Sequence, residues 1–167
     1  MATAILSAER LREVLHYDPE TGVFTWKVRT SNRVKVGAVA GAMLKTGYLS
    51  ICLDGKFYRA HRLAWLFVRG EWPTADIDHL NGIRTDNRFA NLRDASRSVN
   101  QQNLRAARGS TASGMLGVYR SDKKGKPWRS CIKAGGVDRH LGNYATPEAA
   151  QAAYIDAKRK LHEGCTI

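Results

Sequence analysis

Apolar and polar positions change rhythm several times along this chain, and each change predicts an element. "SAERLREVLHYDPETG" opens with Ser7 as an N-cap and reads as a short amphipathic helix closed by a Pro/Gly turn. "GVFTWKVR" alternates and is rich in β-formers, which predicts a strand. Two β-rich runs flank Asp54-Gly55 in "GYLSICLDGKFYRAHRLAW", the strongest short hairpin signal in the chain. The second run passes into a helix whose Leu63, Ala64, Leu66 and Phe67 share a buried face ending at Gly70, and Pro73 breaks the chain. A short strand and a long polar loop follow from Thr74 to Asn91. "SRSVNQQNLRAAR" then has helical length and composition, with Ser96 as its N-cap.

"GSTASG" (109–114) is small, flexible and uncharged, and is the best linker candidate. Beyond it "GVYRS", "WRSCIKA" and "DRHLGNY" predict three short strands separated by Gly-containing turns. Thr146 caps a last helix with Pro147 at its first position and Glu148 in the first turn, where the helix dipole favours an acid. Ala149, Ala150, Ala153, Tyr154, Ala157 and Leu161 form its predicted face, small enough to lie close against a sheet. The expected class is α+β. Residues 1–73 form a β-rich region with a helix, 74–108 a central module and 109–114 the linker. Residues 115–164 form a three-stranded antiparallel sheet packed on one helix.

Charge narrows the partners. The 167 residues carry 27 Lys and Arg against 15 Asp and Glu, a formal net of +12. A folded domain this basic repels itself unless a polyanion relieves it, and nucleic acid is the commonest such partner. The basic residues are spread along the chain, which fits a folded binding surface better than a tail. Cys52, Cys131 and Cys165 lie far apart and form no CxxC pair, against a zinc ribbon or a disulfide framework. No apolar run approaches a membrane span and the start lacks a signal-peptide pattern, so a soluble cytoplasmic protein with no membrane partner is expected.

The chemistry concentrates in "IDHLNGIRTDNRFANL" (77–92). Asp78 is a hard oxygen donor beside His79, a base of ordinary pKa about 6.5. If Ile77 points into the core, Asp78 faces the other side, and a kink at the strand end brings both polar groups to one cleft. Asn81, Asn87 and Asn91 are natural loop-formers, and Asn100 on the following helix can project back toward Asp78. Acid, amide and imidazole together suit one divalent metal and one activated water, the requirement of phosphodiester hydrolysis. Mg²⁺ fits such a set because it favours oxygen ligands and keeps several waters; Mn²⁺ is the alternative. From spacing alone, a purely structural Asn-rich loop explains the stretch equally well.

"AHRLAWLFVRGEWP" (60–73), "DIDHLNG" (76–82), "TDNRFANL" (85–92) and "SRSVNQQN" (96–103) together resemble the HNH nucleases of the phage and homing-endonuclease type, in order and in spacing. "YDPETGVFTWK" (17–27) resembles what often precedes that module. The resemblance implies a ββα-metal architecture with His79 as general base and Asp78 as metal ligand. Asn91, twelve positions after His79, would hold the loop through backbone hydrogen bonds. Asn100 takes the third motif position and would be the second ligand, with Asn103 as its substitute in another helix register. With Asn at the third position, the chain departs from a literal H-N-H pattern. His61 also matches a family position, with a structural role as its alternative. Arg97, about one turn before Asn100, either neutralises the scissile phosphate or stands solvated on the binding face.

The stretch 114–163 resembles the plant ethylene-response-factor (Apetala-type) DNA-binding domain through "GVYRS", "KPWRSCI" and the Ala-rich helix after "HLGNY". A twisted three-stranded sheet can lie in the major groove. Arg120, Arg129, Lys133 and Arg139 are the candidates for its outer face, with Trp128 packing on sugar or on the core. Ten Lys and Arg stand against five Asp and Glu in this stretch. The expectation is a metal-dependent endonuclease acting on double-stranded DNA at sites read by the C-terminal domain. A single site favours nicking by a monomer, whereas a homodimer could cut both strands. A DNA-binding protein with an inactive nuclease site and a ribonuclease remain the alternatives.

Overall fold

The computed structural model describes residues 5–107 and 112–166. Residues 109–111 of the predicted linker lie outside the described residues. The architecture is α+β, as the patterning predicts, and the chain divides into two compact units, Met1–Ser96 and Arg97–Ile167.

In the first unit, α1 (Ala8–Val14) starts at Ser7, whose hydroxyl accepts the Arg10 N–H. It ends sooner than the amphipathic reading implied. Leu15 turns to extended geometry, and β1 (Leu15–Asp18) pairs antiparallel with β2 (Val23–Trp26). Leu15 and Tyr17 are buried while His16 between them is exposed, a strand period that the helical reading absorbed into its own face. β3 (Ala42–Met43), β4 (Leu49–Leu53) and β5 (Lys56–Arg59) form one antiparallel sheet. Its β4–β5 hairpin turns at Asp54 and Gly55, with φ of 48° and 78°. α2 (Ala60–Arg69) follows directly and stops at Gly70, at φ 82°, whose N–H reaches the Leu66 carbonyl.

The core of this unit is built where α2 lays Leu63, Ala64 and Leu66 against Leu11, Val14 and Leu15 and against Ile51 and Leu53 of β4. Each buried Leu, Ile or Val among them contributes about 2 kcal/mol. Tyr17 and Phe24 pack at 4.6 Å between ring centroids, and Phe67 closes the aromatic group. β6 (Asp76–His79) and β7 (Leu92–Ala95) form a separate antiparallel pair joined by the long loop, which contains a 3-10 turn at Phe89–Asn91. The patterning had not separated β7 from its surroundings.

In the second unit, α3 spans only Arg97–Gln102, shorter than its composition suggested, and buries none of its own side chains. The Asn103 and Leu104 N–H groups reach back three residues, to Asn100 and Gln101, in the tightening that ends a helix. β8 (Val118–Arg120), β9 (Trp128–Ala134) and β10 (Val137–Tyr144) form the antiparallel sheet with β9 in the centre. α4 (Pro147–Leu161) packs on it, with the Thr146 hydroxyl accepting the Ala149 N–H and Pro147 in the first turn. The small-residue face expected of α4 holds in its middle, where Ala150 is buried and Ala153, Tyr154 and Ala157 are half-buried. Ala149 and Leu161 are exposed instead, and Lys158 is buried. Lys158 is 1% exposed because its ammonium donates to the Leu104 carbonyl, and burial pushes its pKa below the usual lysine value.

Candidate active site

β6 is buried at three successive positions, so Asp78 and His79 are enclosed on a strand too short to alternate cleanly. Register sets Asp78 opposite Arg93 and His79 opposite Leu92. The Arg93 guanidinium takes the Asp78 Oδ2 with two N–H groups, at 3.1 and 2.7 Å.

The loop between the strands is pinned by amides. Asn91 Oδ1 accepts the Asn81 N–H at 2.9 Å and Asn91 Nδ2 donates to the Asp86 carbonyl at 2.8 Å, stapling both ends of the loop to its middle. Asn81 Nδ2 donates to the Asp86 carboxylate, on which Arg88 also closes with two N–H groups. These donors hold the Asp86 carboxyl at about 2, with Arg88 the largest influence. From the first hairpin, the Tyr17 hydroxyl donates to the Asn87 carbonyl at 2.7 Å.

This loop orients His79. Asn87 Nδ2 donates to the Thr85 carbonyl, which turns Asn87 Oδ1 toward His79 Nε2 at 3.3 Å. An amide oxygen can only accept, so Nε2 carries the ring proton and Nδ1 is the basic nitrogen. Burial pushes the His79 pKa below the ordinary imidazole value, against the opposing pull of Asn87, Asp78 and Asp86. The ring is therefore a neutral base at neutral pH.

Four side chains from other parts of the unit and from the loop complete the surroundings. His61, at the start of α2, sets its ring edge-to-face with His79, centroids 5.1 Å apart. Tyr48 lies 5.1 Å from His61 and 6.0 Å from His79. The guanidiniums of Arg59 and Arg84 sit over the Tyr48 ring at 5.4 and 5.1 Å. Arg84 is fixed there by donating to the Thr46 carbonyl at 2.7 Å. Two cations thus stand on an aromatic ring whose other neighbours are the two imidazoles, a place for phosphate oxygens. His61 is 8% exposed, and burial together with His79, Arg62 and Arg59 drives its pKa down to about 3.

Of the residues singled out in the sequence, Asp78, His79, Asn91 and His61 therefore lie together in the first unit. Arg97 and Asn100 are carried by α3 in the second unit, Arg97 exposed and Asn100 half-buried. Asn103 follows α3 and is buried, accepting the Thr166 hydroxyl. Among the described residues no three His, Cys, Asp or Glu side chains converge as a zinc site requires. Mg²⁺ asks less, one or two carboxylates with the remaining positions filled by water, and Asp78 is the carboxylate adjoining His79, with its Oδ2 held by Arg93.

The sheet of the second unit corrects one expectation. Arg129 and Lys133 alternate with the buried Ser130, Ile132 and Ala134 on β9, so they face away from α4. Arg139 pairs with Ile132, and Arg120 with Trp128, which shares the parity of Ser130. Those two arginines therefore belong to the helix-side face, at its exposed margins, and Arg120 lies on the Trp128 ring at 4.2 Å. Tyr119, opposite Arg129 in the register, carries the Arg129 guanidinium at 5.6 Å instead.

A family model described as HNH endonuclease matches residues 58–102, about a quarter of the chain. That segment runs from β5 through α2 and the β6–β7 hairpin to the end of α3. No curated protein and no solved structure matches this chain. No helix among the described residues is long and apolar enough to cross a membrane.

Proposed function

We propose that this protein is a metal-dependent endonuclease hydrolysing phosphodiester bonds of double-stranded DNA, with His79 as the general base. The observation that carries the reading is the orientation of His79. Inside the segment that matches the HNH endonuclease model, a buried and neutral imidazole is held in one tautomer by Asn87, next to a buried carboxylate. A group held this way can take the proton of an attacking water at Nδ1 as the water's oxygen bonds to phosphorus. Arg84 and Arg59, on Tyr48, supply positive charge to the phosphate oxygens as negative charge gathers there.

Asp78 is the residue that would hold the metal, Mg²⁺ or Mn²⁺, with Asn100 kept as a second ligand on its motif position alone. Such an ion, when bound, stabilises negative charge on the leaving oxygen. Recognition of the target is assigned to the outer face of the β8–β9–β10 sheet, where Arg129 and Lys133 project. The division of labour has a physical ground: a phosphate carries no sequence information, so specificity needs a separate reader.

The test is supercoiled plasmid incubated with the full chain and Mg²⁺ or Mn²⁺, beside EDTA and His79→Ala controls. The expected outcome is nicked or linear product that EDTA abolishes and that His79→Ala reduces by about 10² or more, with DNA affinity held within a few-fold. Product formed at the parental rate by His79→Ala sinks the base assignment. In the same preparation Arg129→Ala/Lys133→Ala should weaken DNA binding and flatten its salt dependence by about two phosphate contacts. An unchanged slope moves recognition off this face.

A further inference from the structure

The outer face of the second unit's sheet carries a side-chain chain that the nuclease reading does not use. Cys131 on β9 lies directly opposite His140 on β10, and its Sγ is 3.7 Å from His140 Nδ1. His140 Nε2 lies 3.2 Å from Asn143 Nδ2, and Asn143 Oδ1 accepts the Ser121 hydroxyl at 3.0 Å. Four residues, from two of the strands and the turn after β8, thus line up as Ser121, Asn143, His140 and Cys131.

A break in the ladder makes this alignment. In a regular strand His140 and Asn143, three apart, face opposite sides. β10 carries a bulge between His140 and Gly142, and Gly142 takes φ 136°, a backbone conformation open to glycine. The extra residue returns Asn143 to the face of His140, opposite Arg129. With the amide nitrogen on Nε2, the imidazole proton belongs on Nδ1 and points at sulfur. The amide thus fixes the tautomer in which a neutral imidazole N–H is presented to the sulfur.

We propose that Cys131 is a His140-activated thiol that accepts small disulfides, a covalent modification site on the basic face of the second unit. It is half-buried, yet it lines an open cavity of about 890 Å³ together with Tyr119, Lys133 and Asp138, within the range that admits a small molecule. The step is thiol–disulfide exchange. Cys131 gives its proton to solvent, and its sulfur attacks one sulfur of the reagent. The reagent's S–S bond breaks, and the departing thiolate takes a proton from solvent. The adduct would stand between Arg129 and Lys133, on the face assigned to DNA, though the chemistry of the thiol does not depend on that assignment.

The experiment uses the full chain and dithiodipyridine, a neutral aromatic disulfide that basic side chains do not attract. Peptide mass analysis at short times assigns the adduct among the three cysteines. Exposure alone ranks Cys52, which is exposed, above the half-buried Cys131 and Cys165. The expected result is Cys131 modified about tenfold or more faster than Cys52, with His140→Ala bringing it to or below the Cys52 rate. Asn143→Ala should fall between the two. Cys165 in the same unit serves as the fold control, because local opening would speed it whereas loss of activation slows Cys131 alone. Cys131 reacting no faster than Cys52, or as fast in His140→Ala as in the parent, overturns the proposal. Plasmid cleavage plays no part in this readout, so the nuclease reading and this one fail separately.

Discussion

His61 offers a prediction whose magnitude follows from its burial. Its Nδ1 is buried with no hydrogen-bond partner among the described residues, and its pKa falls from the usual 6.5 to about 3. Between those values the unfolded chain binds a proton at this position and the folded chain does not. Stability is therefore whole above about pH 6.5 and is lost progressively as pH falls, levelling off near the folded value. At about pH 4.5, two units into this window, the loss is roughly 2 to 3 kcal/mol. His61→Phe keeps a ring against Tyr48 and His79 and cannot titrate. Urea unfolding at about pH 7.5 and about pH 4.5 compares the variant with its parent, while His79 titrates equally in both. A Trp128→Phe background leaves Trp26, Trp65 and Trp72, all in the first unit, as the fluorescent reporters. The parent should lose roughly 2 to 3 kcal/mol more than the variant on acidification. Parallel losses would refute the reasoning, because His61 would then accept its proton in the fold without penalty.

Two further outcomes are expected in the same unit. Arg93→Leu removes the two guanidinium N–H groups on the Asp78 carboxylate, whose side chain is 8% exposed, and should destabilise the unit by about 3 kcal/mol. If Asp78 holds the metal, millimolar Mn²⁺ should raise the melting temperature of this variant more than that of the parent, and equal increments would speak against the ligand assignment. Gly22→Ala should destabilise by about 2 kcal/mol or more, because φ is 73° and the new Cβ meets the Arg88 nitrogen at 2.4 Å. Gly55→Ala, at φ 78° with nothing within 4 Å, should cost only the turn strain, so equal effects in urea would contradict the contact.

What could be read in advance followed how local each signal was. Asp54-Gly55, Gly70 and the Thr146-Pro147 cap declare themselves within a few residues, because positive φ and orphan helix N–H groups are local problems. β1 was hidden because Leu15 and Tyr17 continue an apolar pattern that a helix explains as well. Lys158 was out of reach because its burial depends on the Leu104 carbonyl, 54 residues away. Asp78, His79 and Asn91 stand within one loop, so their concentration was visible. Tyr48, Arg59 and Arg84 come from a turn, a strand end and that loop, and only the tertiary fold sets two guanidiniums on one ring. Arg120 and Arg139 lie on the helix-side face because register with β9, not composition, decides a face.

The abundance of asparagine in the 81–91 loop follows from what a general base needs. Such a base must be oriented and must also be neutral. An aspartate against Nε2 would orient His79 as well as Asn87 does, but its charge would favour the imidazolium. An amide fixes the tautomer without supplying that charge. The one carboxylate within the loop, Asp86, is committed to Arg88, Asn81 and the turn. Asn87→Asp is therefore the informative variant: Asn87 is 1% exposed and its Oδ1 lies 3.3 Å from His79 Nε2. The His79 pKa should rise, because the new carboxylate favours the imidazolium. Imidazole NMR titration reads that shift without reference to cleavage. The acid limb of the cleavage rate should move upward with it, while the rate at higher pH recovers toward the parent's. A resonance that titrates where the parent's does would mean that Asn87 serves the loop alone, and that the neutrality of the base rests on burial by itself.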